Sequence, residues 1–553
     1  MDRLTPMIRN LDTECSRILD RFSPVIGAPV QPDYTTDTRN AGFMVSRLIL
    51  AYALPESLHS GKQEVLSVIL ETLDYLRRNR RPSGCFDLIT CNFDTAPDTA
   101  FTLNQLSDVY AVLSESDAIL PKLPGLEEIR TRLLELIERG GEGILSGGFH
   151  TPNHRWAISA ALKEAARLCN RTDFDRCARR YLCEGLDINA DGEFAERSAG
   201  TYNVVNDEQM IRLYLLSGNT HYLDAARSNL TMMLHYFEPD GSIFTLNSTR
   251  QDFGHKIYPA GYFILYLLTG YLSHDPTFAA WANRMWEFCD RAHITPYGLP
   301  WLLRFPELQN YVRDLKPDPA VLERYSRLYA SSGIARWRRG DLTCTALQNR
   351  PDFLHVMHHG LALTLAIYSN VCDKRNFMAD LIVMTEKGCH LSCRMDSWYY
   401  LPFDGNGPTT CDWWAMDNAR NRRRQIRDAL TTDIDVEVEE DGVCLHFRWS
   451  GLAGVPIRLE FGFSPGHVRG SQFYLEGEAG KALTVTGGCL EVTDDTHGRL
   501  TLDPAFGEHN LASRMGGAYP LQPDRFTVLM TTCSPAEKTV RIGTSALFPP
   551  TLP

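Results

Sequence analysis

From about residue 40 to 335 the chain repeats one pattern, apolar residues three or four apart broken by short polar turns. Residues 42–54, 64–79, 99–113, 126–140, 154–169, 207–218, 222–237 and 263–272 all carry it, which predicts amphipathic helices. The amino-terminal 22 residues mix charges with the same helical spacing. Between helices a short motif returns, a glycine turn followed by an aromatic, at Gly84 with Phe86, Gly148 with Phe149, Gly192 with Phe194 and Gly241 with Phe244. These glycines are 64, 44 and 49 residues apart, about one helical hairpin each. The polar and aromatic residues cluster just after the turns. A closed (α/α) toroid, whose tips converge on one cleft, accounts for that clustering better than an open solenoid.

Beyond residue 340 the period changes. Residues 353–370, 433–451, 456–465, 482–495 and 526–535 alternate or are β-branched, with Asp-Gly, Gly-Gly and Ser-Pro turns between them. They predict an antiparallel β-sandwich. Residues 300–340, rich in Pro, Arg and Tyr, read as the connector. The expected domains are an α toroid over 1–335 and an antiparallel β-sandwich over 336–553.

Composition narrows the function. The chain has 553 residues, 44% hydrophobic and 22% charged, as a folded protein does. Acidic residues outnumber basic ones by 68 to 56, which argues against a nucleic-acid binder. The basic run from Arg420 to Arg424, broken by Asn421, reads as a solvated face. Neither a signal-peptide core nor an apolar membrane span is evident, and the 15 cysteines lack a CxxC pair. The expectation is a cytoplasmic protein with reduced thiols, no metal and no cofactor, and with homo-oligomerisation left open.

Candidate chemistry lies at the tips. Asn153 and His154 stand where a turn becomes a helix, with Trp156 one turn in; Asn153 read alone is a helix cap. The next tip, 191–209, gathers Glu193, Glu196, Arg197, Tyr202, Asn203, Asp207 and Glu208. The third, 240–262, adds Asn247, Arg250, Gln251, His255 and Tyr258, and the first, 83–101, adds Asn92, Asp94 and Asp98. Aromatic faces, amides and arginine together suit an acidic sugar, since guanidinium pairs with a carboxylate in two-pronged fashion. The reaction that uses such a set is β-elimination from a uronate. A neutral or cationic donor shares the carboxylate's charge as the C5 proton leaves, and a Tyr or His moves protons to and from C5 and O4.

These residues resemble the polysaccharide lyases built as an (α/α) toroid followed by a β-sandwich, including heparinase II/III, oligoalginate and hyaluronate or chondroitin lyases. Asn153-His154 with Trp156 looks like that family's neutralising pair, and Tyr202, 48 residues after His154, like its catalytic tyrosine. The resemblance implies a further histidine from the first sandwich strands, His358 or His359, although Gly360 and Leu361 follow where the family often has an acidic residue or asparagine. Asn92, Trp156, Glu196, Arg197, Asn203, Arg250, Gln251, Tyr258 and Trp413 are the expected substrate contacts. Trp413 lies in the aromatic stretch 396–417, which either closes the cleft or packs between domains. The expected activity is exo-acting cleavage of imported uronate oligosaccharides. One alternative is a glycoside hydrolase on the same toroid, a glucuronidase or unsaturated-uronide hydrolase, with paired carboxylates drawn from Asp94, Asp98, Glu193, Glu196, Asp207 and Glu208. The other is a carbohydrate-binding protein without catalysis.

Overall fold

The three-and-four spacing of the first part becomes helix. An opening helix α1 (Leu4–Asp20) precedes, among the described residues, five pairs: α2 (Thr38–Ala53) with α3 (Gln63–Asn79), α4 (Ala96–Glu115) with α5 (Leu126–Leu145), α6 (Pro152–Cys169) with α7 (Thr172–Leu182), α8 (Tyr202–Ser217) with α9 (Thr220–Met233), and α10 (Tyr262–Leu272) with α11 (Pro276–Phe288). The structure, a computed structural model, describes residues 3–115, 122–288, 296–311, 320–403, 407, 410–416, 422–495, 497–510 and 521–548. Helix ends follow local chemistry. The Asp37 carboxylate caps α2 by accepting the Asn40 N–H at 2.7 Å. Helix α6 carries Pro152 in its first turn and stops at Asn170 in the left-handed region.

Burial sorts the helices into two layers. Helix α7 hides only Phe174, Cys177 and Ala178, one stripe of an outer helix. Helices α4, α6, α8 and α10 are buried nearly all round. Each of α2, α4, α6 and α8 packs on the next inner helix and on its own outer partner. Helix α1 bridges the gap, touching α2 on one side and Leu299–Arg304 on the other. Just before it, the Arg3 guanidinium lies 5.1 Å from the centre of the Phe263 ring and 5.9 Å from that of Trp286, and burial draws its pKa down to about 10. The helices form a ring.

The contacts divide the chain into one unit of residues 1–237 with 241–318 and another of 238–240 with 319–553. The second unit therefore begins before residue 336, because Arg324–Tyr329 and Ile334–Arg339 are already paired strands. Their arginines disguise them as a connector; buried Arg336 is matched by Glu238, 2.9 Å away. Its first sheet runs in the order Arg324–Tyr329, Ile334–Arg339, Leu342–Leu347, Asp352–His358, Leu361–Val371, Pro456–Phe463, Phe526–Cys533 and Ala482–Thr484. Neighbours are antiparallel except the last pair. The second sheet runs Leu381–Met384, Gly388–Tyr400, Arg424–Val438, Gly442–Gly451, Ala536–Gly543, Arg499–Phe506, Gly487–Thr493, Gly466–Gly470 and Tyr474–Gly477, antiparallel throughout. Alternate residues such as Val443, Leu445, Phe447 and Trp449 turn inward to share one core with Trp337, Leu363 and Phe461. Among the described residues the cysteines are free thiols, no helix is long and apolar enough to cross a membrane, and no group of three His, Cys, Asp or Glu could hold a metal. Residues 417–421, which include the first two positions of the basic run, lie outside the described set.

The turn glycines differ in what they permit. Gly192 has φ 90°, and a Cβ there would lie 2.5 Å from the Ser228 carbonyl oxygen, whereas one at Gly148 meets nothing within 4 Å. Gly192→Ala is expected to cost about 1–3 kcal/mol in denaturant unfolding and Gly148→Ala well under 1 kcal/mol.

Candidate active site

Two successive tips of the ring are tied together by one buried carboxylate. Asp252, 2% exposed, accepts hydrogen bonds from Ser198 Oγ at 2.8 Å, Ser248 Oγ at 2.5 Å and the Gly200 N–H at 2.9 Å. Each serine hydroxyl then acts as an acceptor in turn. Ser198 Oγ takes the Tyr202 N–H and Ser248 Oγ the Arg250 N–H, both at 3.1 Å. Asp252 thereby sets the first turn of α8 and the loop before α10 with respect to each other.

The side chains so placed meet. Arg250 donates from Nη2 to the Tyr202 phenol oxygen at 3.3 Å, and its guanidinium lies 4.7 Å from the centre of that ring. Its Nε stands 4.0 Å from Glu196 Oε1. The same Glu196 oxygen accepts from Asn153 Nδ2 at 2.6 Å, and Asn153 Nδ2 also donates to Thr151 Oγ1 at 3.0 Å. Asn153, Glu196, Arg250 and Tyr202 thus form one polar chain across three tips. His154 follows Asn153 on α6, its ring centre 6.0 Å from that of Phe101 and 5.9 Å from that of His150. Burial pushes its pKa down to about 4, so the imidazole is neutral at physiological pH. Burial also raises the Glu196 carboxyl above its ordinary range, and the hydrogen bond to Tyr202 raises the Arg250 guanidinium. A fixed cation, a phenol and a neutral imidazole are the means to hold an anion and move a proton.

Other expected contacts divide between this site, the protein interior and the second unit. Trp156 is fully buried against Phe194, with ring centres 5.3 Å apart, so it packs the core and is no sugar platform. Asn203 is likewise buried, its amide nitrogen 3.4 Å from Met233 Sδ. Being first-turn residues of inner helices, both turn into the ring wall. Asn92 donates to Asp98 at 2.9 Å, and Arg197 lies 3.5 Å from Glu193. Gln251 and Tyr258 are exposed on the third tip. His358 and His359 belong to the second unit, where His358 Nδ1 accepts the Arg499 N–H at 3.1 Å and His359 occupies the tight turn after it with φ 54°. Trp413, also there, is 47% exposed with the Arg422 guanidinium 5.5 Å from its ring centre.

The candidate carboxylates have separate attachments. Glu208 joins Arg212 and Tyr297, Glu193 accepts from Asn247 at 2.6 Å, and Asp94 accepts from Ser83. Asp207 is fully buried, with neither carboxylate oxygen hydrogen-bonded. Sequence reasoning passed over Ser198, Ser248 and Asp252, whose only signal is that the last two follow Ser198 by about one hairpin. It also passed over Arg39, 3.8 Å from Asp98 and flagged only by the capping residue Asp37 before it.

No family model matches the sequence, and no curated protein matches it. Solved structures do. The chondroitin AC lyase of Streptomyces coelicolor A3 aligns with a TM-score of 0.56 at 13% identity, over 99% of this chain and 80% of that one. A Paenibacillus xanthan lyase aligns with a TM-score of 0.58 at 11% identity, over 98% of this chain and 57% of that one. The heparan sulfate lyase HepC from Pedobacter heparinus aligns at 0.46 and 11%, over 99% and 84%. The fold is that of polysaccharide lyases. The polar chain from Asn153 to Tyr202 lies in the helical unit.

Two outcomes are expected from these contacts. Asp252→Ala strands three donors and is expected to lower unfolding free energy by about 3 kcal/mol or more, read in urea. Desolvation raises the Asp207 carboxyl well above its ordinary value, so the folded state holds a proton that the unfolded state releases above about pH 4. Stability therefore falls as pH rises past that point. Asp207→Asn removes the penalty, and its melting temperature should exceed the parent's by a margin that widens from pH 4 toward 7.

Proposed function

We propose that this protein is a lyase that cleaves uronate-containing oligosaccharides by β-elimination. The observation that carries the reading is the Tyr202–Arg250 pair, a phenol oxygen held 3.3 Å from a guanidinium at a half-buried position. The fold shared with chondroitin AC and xanthan lyases supports it; the Streptomyces enzyme is described in complex with chondroitin sulphate.

Arg250 holds the uronate carboxylate and offsets the negative charge that spreads into it as the C5 proton leaves. His154, neutral because it is buried, donates a hydrogen bond to the same developing charge. Asn153 has both amide hydrogens committed to Glu196 and Thr151, so its part is to hold Glu196, and through it Arg250, in place. Tyr202 handles the protons. Its oxygen, deprotonated beside the Arg250 cation, takes the hydrogen from C5, and the phenol so formed returns the proton to O4 as the C4–O4 bond breaks, which restores the starting phenolate. The carbon–hydrogen electron pair becomes the C4–C5 double bond, so no external oxidant or reductant enters. A hydrolase would instead need two carboxylates facing one sugar bond, and the carboxylates here have separate attachments. The acidic fragments suit an exo-acting enzyme supplied with imported oligosaccharides, in the cytoplasm.

Incubation with uronate oligosaccharides should raise ultraviolet absorbance, because the new double bond is conjugated with the carboxylate. Reducing ends that accumulate without absorbance would mean hydrolysis, and neither change would mean binding alone. Tyr202→Phe is expected to cut the absorbance rate by on the order of 10²–10⁴ while leaving the melting curve in place. Undiminished turnover in that variant would remove Tyr202 from the mechanism.

A further inference from the structure

The helical unit has a cavity of about 360 Å³ between α1 and the start of α2. Phe43 and Met44, both half-buried, supply apolar surface, and four arginines line it, Arg17, Arg21, Arg39 and Arg47. Glu14 offsets Arg47 at 2.7 Å, and Arg39 stands 3.8 Å from Asp98. Glu14 lines the same cavity, but among the described residues no carboxylate lies within ion-pair distance of Arg17 or Arg21. Arg17 stands in the last turn of α1 and Arg21 just past its end, both exposed, so the two guanidinium groups flank the same cavity. In a chain of net charge −12 such a concentration of positive charge stands out. Arg39 connects the two places, since Asp98, its partner, is near enough to His154 to act on that ring's charge.

We propose that this cavity is a distal subsite that binds an acidic sugar residue of the substrate, its carboxylate or sulfate meeting Arg17 and Arg21 and its ring lying against Phe43. The inference rests on the acidic-oligosaccharide reading above and extends it, making the enzyme selective for chains long enough to span from Tyr202 to α1. The volume lies within the roughly 300–1,000 Å³ typical of ligand pockets. Guanidinium pairs supply anion recognition, and the aromatic face supplies sugar stacking.

The test uses the full chain carrying Tyr202→Phe, so that binding is measured without turnover. Calorimetry at low salt compares chondroitin sulphate hexasaccharide with the disaccharide, before and after Arg17→Ala and Arg21→Ala together. The double variant is expected to weaken the hexasaccharide about ten-fold and the disaccharide less than two-fold, with an unchanged melting temperature. Equal affinities in parent and variant, equal losses for both lengths, or no hexasaccharide binding by the parent would each overturn the subsite. Elimination by the wild-type chain, followed by ultraviolet absorbance, separates the two claims. Arginine-dependent binding without elimination leaves the subsite standing and defeats the lyase reading, whereas elimination with arginine-independent binding defeats the subsite alone.

Discussion

A carboxylate that water cannot reach organises the candidate site. Asp252 gathers three donors from two tips of the ring, and through Ser198 and Ser248 it orients the backbone of Tyr202 and Arg250. An ionised group at 2% exposure is tolerable only when its hydrogen bonds are complete, so loop geometry and charge satisfaction are the same problem here. The Tyr202–Arg250 contact inherits its precision from that buried frame. Helix α10 adds to it, because the Tyr262 hydroxyl donates to the Ala199 carbonyl at 2.6 Å.

The ring itself carries more polar groups inside than a helical bundle usually does. Asn104 on α4 donates to Gln209 on α8 at 3.0 Å, and Arg212 on α8 spans Asp108 on α4 and Glu208 on its own helix. Such groups fix which helix faces which, since a shifted register would leave a charge buried and unpaired. Their net contribution to stability is small beside that penalty for mispairing. Asp207 shows the opposite case, a buried carboxyl without a hydrogen-bond partner whose pKa desolvation pushes well above the ordinary range.

Charge is distributed to match the proposed chemistry. Two groups of cations bear on it: Arg250 beside the phenol, and Arg17, Arg21, Arg39 and Arg47 around a concave surface. Both lie in the helical unit, where helix starts and hairpin tips supply directed groups. The core shared by the two sheets is aliphatic and aromatic, with the buried Arg336–Glu238 pair as a charged exception in that unit.

Periodicity alone was enough to locate the helical hairpins, the later strands and the order of the two parts, because each element buries one face and its spacing records which. The glycine turns were legible for the same reason, and so were the tips bearing Asn153, His154, Tyr202 and Arg250. Packing decided the rest. The strands at 324–339 carry arginines whose charge is matched by the distant Glu238 and Glu440, so spacing could not reveal them. Trp156 and Asn203 read as substrate contacts, yet they face inward, because the direction of a first-turn side chain depends on how its helix is rolled against its neighbours. The Ser198–Asp252–Ser248 link and the cavity lined by both Arg17 and Arg39 bring together residues from different elements. Such contacts exist only once the ring has closed, for hydrogen bonds and pockets depend on distance in space, and local sequence encodes none of it.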